Sequence, residues 1–266
     1  MEKPKRLSRL SSNNLLILLL SLIFLLLGVP LLENVVDAGT LWRLGLTAVT
    51  ILAAVATQRR KLLLGLGLLA VAVTAPMNWL TMSIQNHSLF LASCTLDAIF
   101  FAIMATMILT AVIKKHLATI DSIYGAICAY LLYGLAWSML YLGLSLSPAG
   151  DWTILGAKFD LERSRQEVSA FSQIIYFSFV TMSSLGYGDL VPSTVLVRTL
   201  SWMQSVFGQF YIAVLVAWLV SEIPRRQHHE NLEHRLNALE VAQAVKPATS
   251  GPAAKTPMDS GRDEEC

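Results

Sequence analysis

Apolar residues dominate long runs of this chain, and the charged residues gather in the gaps between them. The runs are Leu15–Leu32, Leu41–Thr57, Leu62–Leu80, Leu89–Ile113, Leu117–Leu146 and Val195–Ile223. Each is near or above the roughly 17–25 residues that cross a hydrocarbon core as a helix. Arg43 makes the second marginal. A shorter apolar-aromatic run, Val168–Met182, lies between the fifth and sixth. The pattern predicts an all-α membrane protein with six transmembrane helices and one re-entrant helix.

Composition agrees. The 266 residues are 55% hydrophobic and 14% charged, where a soluble domain carries about a quarter charged residues. A net charge of +2 gives no sign of nucleic acid as a partner; the distribution of charge says more. With the N-terminus in the cytoplasm, 15 of the 20 Lys and Arg fall inside, including Lys3, Lys5, Arg6, Arg9, Arg59, Arg60, Lys61, Lys114, Lys115, Arg225 and Arg226. Arg43, Lys158, Arg163, Arg165 and Arg198 fall outside. The positive-inside rule therefore puts both termini in the cytoplasm. A cleaved signal peptide is the rival reading of the first run, but its apolar length exceeds the roughly 7–15 residues of such a segment. Cys94 and Cys128 sit in apolar runs and Cys266 ends the chain, which suggests neither a disulfide framework nor a metal site.

Between the re-entrant run and the last span stands Thr181–Pro192, TMSSLGYGDLVP. Gly186 and Gly188 flank Tyr187, and Asp189 follows. A backbone that aims successive carbonyls at one axis needs residues tolerant of positive φ, and glycine is the least strained of these. The stretch resembles the selectivity filter of potassium channels. Ser184 stands where Thr is usual and Leu185 where Val is usual, which keeps a hydroxyl and an apolar side chain. Leu117–Ile223 resembles the two-helix pore domain of that family. Supporting marks are Pro192, Arg198 at the start of the last helix and Gly208 within it. Asp121–Ala126 and Gly208–Leu215 look like bacterial ion-channel-family proteins with four preceding helices.

The resemblance implies a homotetramer in a lipid bilayer, each copy giving one filter strand. Carbonyls of Ser184, Leu185, Gly186 and Tyr187, with the Ser184 hydroxyl, replace the water shell of a potassium ion, the permeant ligand; no cofactor is implied. Gly188 allows the outer turn, Asp189 sits at the outer mouth, and Tyr187 points backwards to hold the ring at its width. Val180 stands where some members have Glu, so Asp189 needs another brace; Tyr176 and Ser178 are candidates. The C-terminus of the re-entrant helix, partially negative, favours a cation. Ser164 and Glu167 have capping-box spacing before it. Gly208 is a gating-hinge candidate or a close-packing residue.

The organisation expected is therefore a four-helix membrane domain (1–116), a pore domain (117–224) and a cytoplasmic tail (225–266), helical at first and then disordered. A voltage sensor needs several intramembrane Arg or Lys, and Leu89–Ile113 has only Asp97 as a charge. Weak or absent voltage gating follows. Asp97 and Arg43 are a candidate membrane charge pair; a protonated Asp97 facing a wet crevice and a pH or ligand sensor are alternatives. The expected function is passive, selective potassium conduction. The rivals are a non-selective monovalent cation channel and, from another class, a secondary transporter, although only one broken segment is visible. No nucleophile, base or metal cluster points to an enzyme. The expected location is a cell membrane, the bacterial inner membrane by the resemblance.

Overall fold

The computed structural model describes residues 12–32, 38–56, 71–77, 87–114, 120–145, 152–154, 157–159 and 169–245. The elements are α1 (Ser12–Ile23), a π-helical turn (Phe24–Gly28), α2 (Val29–Leu32), α3 (Ala38–Ala56), α4 (71–77), α5 (His87–Ile113), α6 (Ile120–Leu144), β1 (Trp152–Ile154), β2 (Ala157–Phe159), α7 (Ser169–Met182), β3 (Leu190–Pro192) and α8 (Val195–Val245). Two compact units divide the chain, Met1–Glu222 and Ile223–Cys266.

Four helical stretches among the described residues are long and apolar enough to cross a membrane: Asn14–Leu32, Ser88–Ile113, Asp121–Leu144 and Val195–Trp218. They coincide with the first, fourth, fifth and sixth apolar runs. The second run forms α3, but its apolar part, Thr40–Val55, is shorter. Most of the third run, the Ser164–Glu167 capping box, the N-terminal cluster Lys3–Arg9 and the end of the tail lie outside the described residues. The helix expected near 225–244 is present as part of α8.

The π turn in the first span has a local cause. Pro30 has no N–H to donate back along the helix, and its ring crowds the preceding turn. The chain widens there, and the Val29 N–H donates to the Phe24 carbonyl.

α6 is the most enclosed of the spans and α8 the least. α5 packs along α6, α1 against α3 and α6, and α7 against α6. Leu15, Leu18, Leu22, Phe101, Leu132, Leu135, Met139 and Tyr141 are buried there. Small residues permit the closest approaches. A Cβ at Gly134 on α6 would meet the Phe179 ring of α7 at 2.5 Å. Cys94 and Cys128 are buried, as their apolar settings suggested.

A small three-stranded antiparallel sheet, ordered β2-β1-β3, adds to the helical expectation. Its β1–β2 part lies in the linker between α6 and α7. Trp152 pairs with both Phe159 and Pro192, so the linker is hydrogen-bonded to the segment just after the glycine motif.

Candidate functional site

The site begins at the C-terminus of α7. The Ser183 N–H donates to Phe179 O at 3.0 Å and the Ser184 N–H to Thr181 O at 3.0 Å. The Leu185 N–H reaches back to Val180 O at 2.9 Å. These are the bonds of a Schellman cap, whose left-handed position usually holds glycine. Here it holds Ser184, at φ 57°. A left-handed residue other than glycine costs roughly 1–2 kcal/mol, so neighbouring contacts must hold it.

From this cap the backbone alternates. Ser184, Gly186 and Gly188 have φ of 57°, 59° and 79°, whereas Leu185 and Tyr187 have none of that sign. Alternating left- and right-handed residues turn successive N–H groups to one side and successive carbonyls to the other. A cation needs such a row of oxygens. Glycine supplies two of the three left-handed positions without Cβ strain.

Two aromatic rings stiffen the outer half. Tyr187 stacks on Tyr176 of α7, with centroids 6.4 Å apart and planes at 5°. The Tyr176 hydroxyl donates to Asp189 Oδ2 at 2.8 Å. Of the two bracing candidates, Tyr176 makes this contact. That hydrogen bond holds the Asp189 carboxyl below its ordinary value, so it stays ionised at neutral pH. At the start of α8, Arg198 Nε donates to the Pro192 carbonyl at 2.9 Å, closing the loop.

The other candidate, Ser178, does different work. Its hydroxyl donates to Gly134 O on α6 at 2.8 Å. Gln204 of α8 donates through Nε2 to Ser178 Oγ at 2.8 Å and to Ser178 O at 3.1 Å, and its Oε1 accepts from the Tyr141 hydroxyl at 2.8 Å. Ser138 also donates to Gly134 O at 2.8 Å. All four side chains are fully buried. One polar cluster therefore ties α6, α7 and α8 together behind the loop.

α8 also holds the inner end of the loop. Gln209 Nε2 donates to Ser184 Oγ at 2.9 Å, and Ser205 Oγ lies 2.8 Å from the same oxygen. Between these contacts Gly208 meets α7 directly. A Cβ there would fall on the Met182 carbonyl oxygen and lie 3.0 Å from Met182 Cγ.

Asp97 is buried on α5, and Arg43 is half-buried on α3; those two helices pack together. Gln204, Ser205 and Gln209 did not stand out in the motif reading. Their signal was available, because polar side chains inside an apolar span need a partner there.

Residues 125–223 match the family described as "Ion channel". Among curated proteins, two-pore potassium channel 4 of Arabidopsis thaliana is 35% identical over 74 residues, which are 28% of this chain and 26% of that one. The chain thus spans about a quarter of that relative's length. No solved structure matches. Both the family and this relative are channels. The matched segment is similar to ion-channel domains, and it lies in a chain with four helices, among the described residues, long and apolar enough to cross a membrane.

Proposed function

We propose that the chain is one subunit of a homotetrameric potassium-selective channel in a cell membrane. The observation that supports this most is the alternation of φ from Ser184 to Gly188 at the end of a short apolar helix. Four such strands around an axis surround a dehydrated cation with carbonyl oxygens of Ser184, Leu185, Gly186 and Tyr187. Asp189, ionised at neutral pH and held in place by the Tyr176 hydroxyl, concentrates cations at the outer mouth. The named relative is a potassium channel, which favours potassium as the permeant ion.

The same reading gives the remaining parts of the chain their roles. Residues 117–224 form the pore domain and 1–116 the accessory membrane domain, with six crossings in all and both termini cytoplasmic. The exposed apolar side chains of α8, Trp202, Met203, Val206 and Phe210 among them, are covered by neighbouring copies and lipid. Asp97 and Arg43 brace α5 against α3. Exchanging the two residues should restore assembly lost in either single charge reversal; a swapped protein that still fails to assemble rejects the pair.

The test of the main reading is a flux assay on the purified protein in liposomes. Potassium should move down its gradient, barium should block it, and the reversal potential should follow the potassium gradient, shifting strongly when sodium replaces potassium on one side. A non-selective monovalent cation channel is the second reading, favoured by Ser184 and Leu185 in place of Thr and Val. Equal sodium and potassium permeabilities would establish it, and no cation flux at all would reject both.

A further inference from the structure

Ser184 carries the hydroxyl at the inner end of the proposed filter, and this inference rests on that reading. A threonine there would fix its own hydroxyl, because branching at Cβ restricts χ1. Serine has no such restriction and rotates among three staggered wells. A hydroxyl meant to complete a cation's shell must nevertheless stand still, because a mobile dipole discriminates poorly between ions of different radius. Something other than the side chain itself has to hold it.

Two residues of α8 are placed to do so. Ser205 and Gln209 are four apart, so they share one helix face a turn apart. Both reach the same atom: Gln209 Nε2 at 2.9 Å and Ser205 Oγ at 2.8 Å from Ser184 Oγ. The proton count limits the arrangement. A hydroxyl has one proton and two lone pairs. Gln209 donates an N–H and so fills one lone pair. If Ser184 gives its own proton to Ser205, its second lone pair remains for a cation. If Ser205 donates instead, both lone pairs are filled and the Ser184 proton is left to face the ion. Only the first arrangement makes Ser184 a ligand, and a cation bound there selects it.

We infer that Gln209 and Ser205 are positioning residues that orient the Ser184 hydroxyl and thereby set the ion discrimination of the innermost site. Neither needs to touch the permeant ion. They supply from a neighbouring helix the restraint that a β-branched side chain would have supplied from within.

The test is a double-mutant cycle on the full-length channel in liposomes. The sodium-to-potassium permeability ratio is read from reversal potentials, and internal barium block provides a second reading. Gln209→Met keeps the length of the side chain and removes the donor. It should raise the ratio roughly three- to tenfold, the span of one ordinary hydrogen bond, and weaken barium block in the same direction. In a Ser184→Ala background the same substitution should change neither, because the group it acts through is gone. Ser205→Ala should behave alike, and it serves if Gln209→Met does not assemble. Equal shifts in both backgrounds, or no shift in the serine background of a potassium-selective wild type, overturn the inference and leave the filter reading intact. A wild type that passes no potassium overturns both.

Discussion

Tyr176 shows how one side chain can serve two partners. Its ring stacks on Tyr187 while its hydroxyl holds Asp189, so the aromatic ring of the glycine motif and the carboxylate that follows it are tied to α7 by a single residue. Tyr176→Phe keeps the stack and removes the hydroxyl. Sustained potassium flux should fall several-fold in that variant, with initial flux less affected, as the loop loses its conducting shape; unchanged sustained flux would reject the brace. The pH dependence follows from the same contact. The Tyr176 hydrogen bond lowers the folded-state pKa of Asp189 below its ordinary value of 3.8. A depressed carboxylate contributes its stabilisation above the unfolded value and loses it as pH falls through the folded one. Flux should therefore stay flat as external pH drops from 8 to about 5, and collapse only below the ordinary carboxylate range near 3.9. In Tyr176→Phe the collapse should begin at higher pH.

At the scale of elements, α8 holds α7 through Gln204 and Ser178, and holds the loop that follows α7 through Gln209 and Ser184. Gly208 lies between these grips, against the Met182 carbonyl. A hinge and a close-packing role make different predictions for Gly208→Ala. A hinge alone lowers open probability and leaves selectivity unchanged. The packing geometry predicts that the added methyl displaces Met182 and the adjoining Ser184, at the roughly 1–3 kcal/mol typical of overpacking. Reversal potentials and the thermal midpoint of the purified protein should both shift; a change in gating alone would favour the hinge. Gln204→Leu removes the hydrogen bonds that the buried Tyr141 hydroxyl and Ser178 make with the Gln204 amide. It should lower stability by roughly 0.5–1.5 kcal/mol for each hydrogen bond lost, readable as a lower thermal midpoint of the assembled protein. Such contacts set the limit of what was legible beforehand. The glycine motif, the short helix before it and the span after it follow from local patterns, because φ tolerance and apolar run length are local properties. Tyr176 was reachable because Val180 left an acidic partner missing. Gln204 with Tyr141 was not, since the two are 63 residues apart and no local rule pairs them. Strands of three residues, as in β1 and β2, are too short for alternation to register.

For the whole molecule, the question is what would open the proposed channel, whose α5 lacks a sensor's charges. α5 runs from His87 to Ile113 without a Lys or Arg, and Asp97 is its one acidic residue. Moving a unit charge through the entire membrane field yields about 2.3 kcal/mol per 100 mV. Asp97, even if ionised and fully displaced, contributes no more than that per subunit. A sensor with three or four charges in each of four subunits supplies tens of kcal/mol. Asp97 is also buried, so moving it through the field would mean unpacking α5 from its neighbours. The conductance–voltage relation of the reconstituted channel should therefore be shallow across −100 to +100 mV, changing by far less than a sensor of that size allows. Asp97→Asn should leave that shallow slope unchanged while lowering assembly. A steep sigmoid in the wild type would mean that charge outside α5 moves, and the voltage-independent reading would have to be given up.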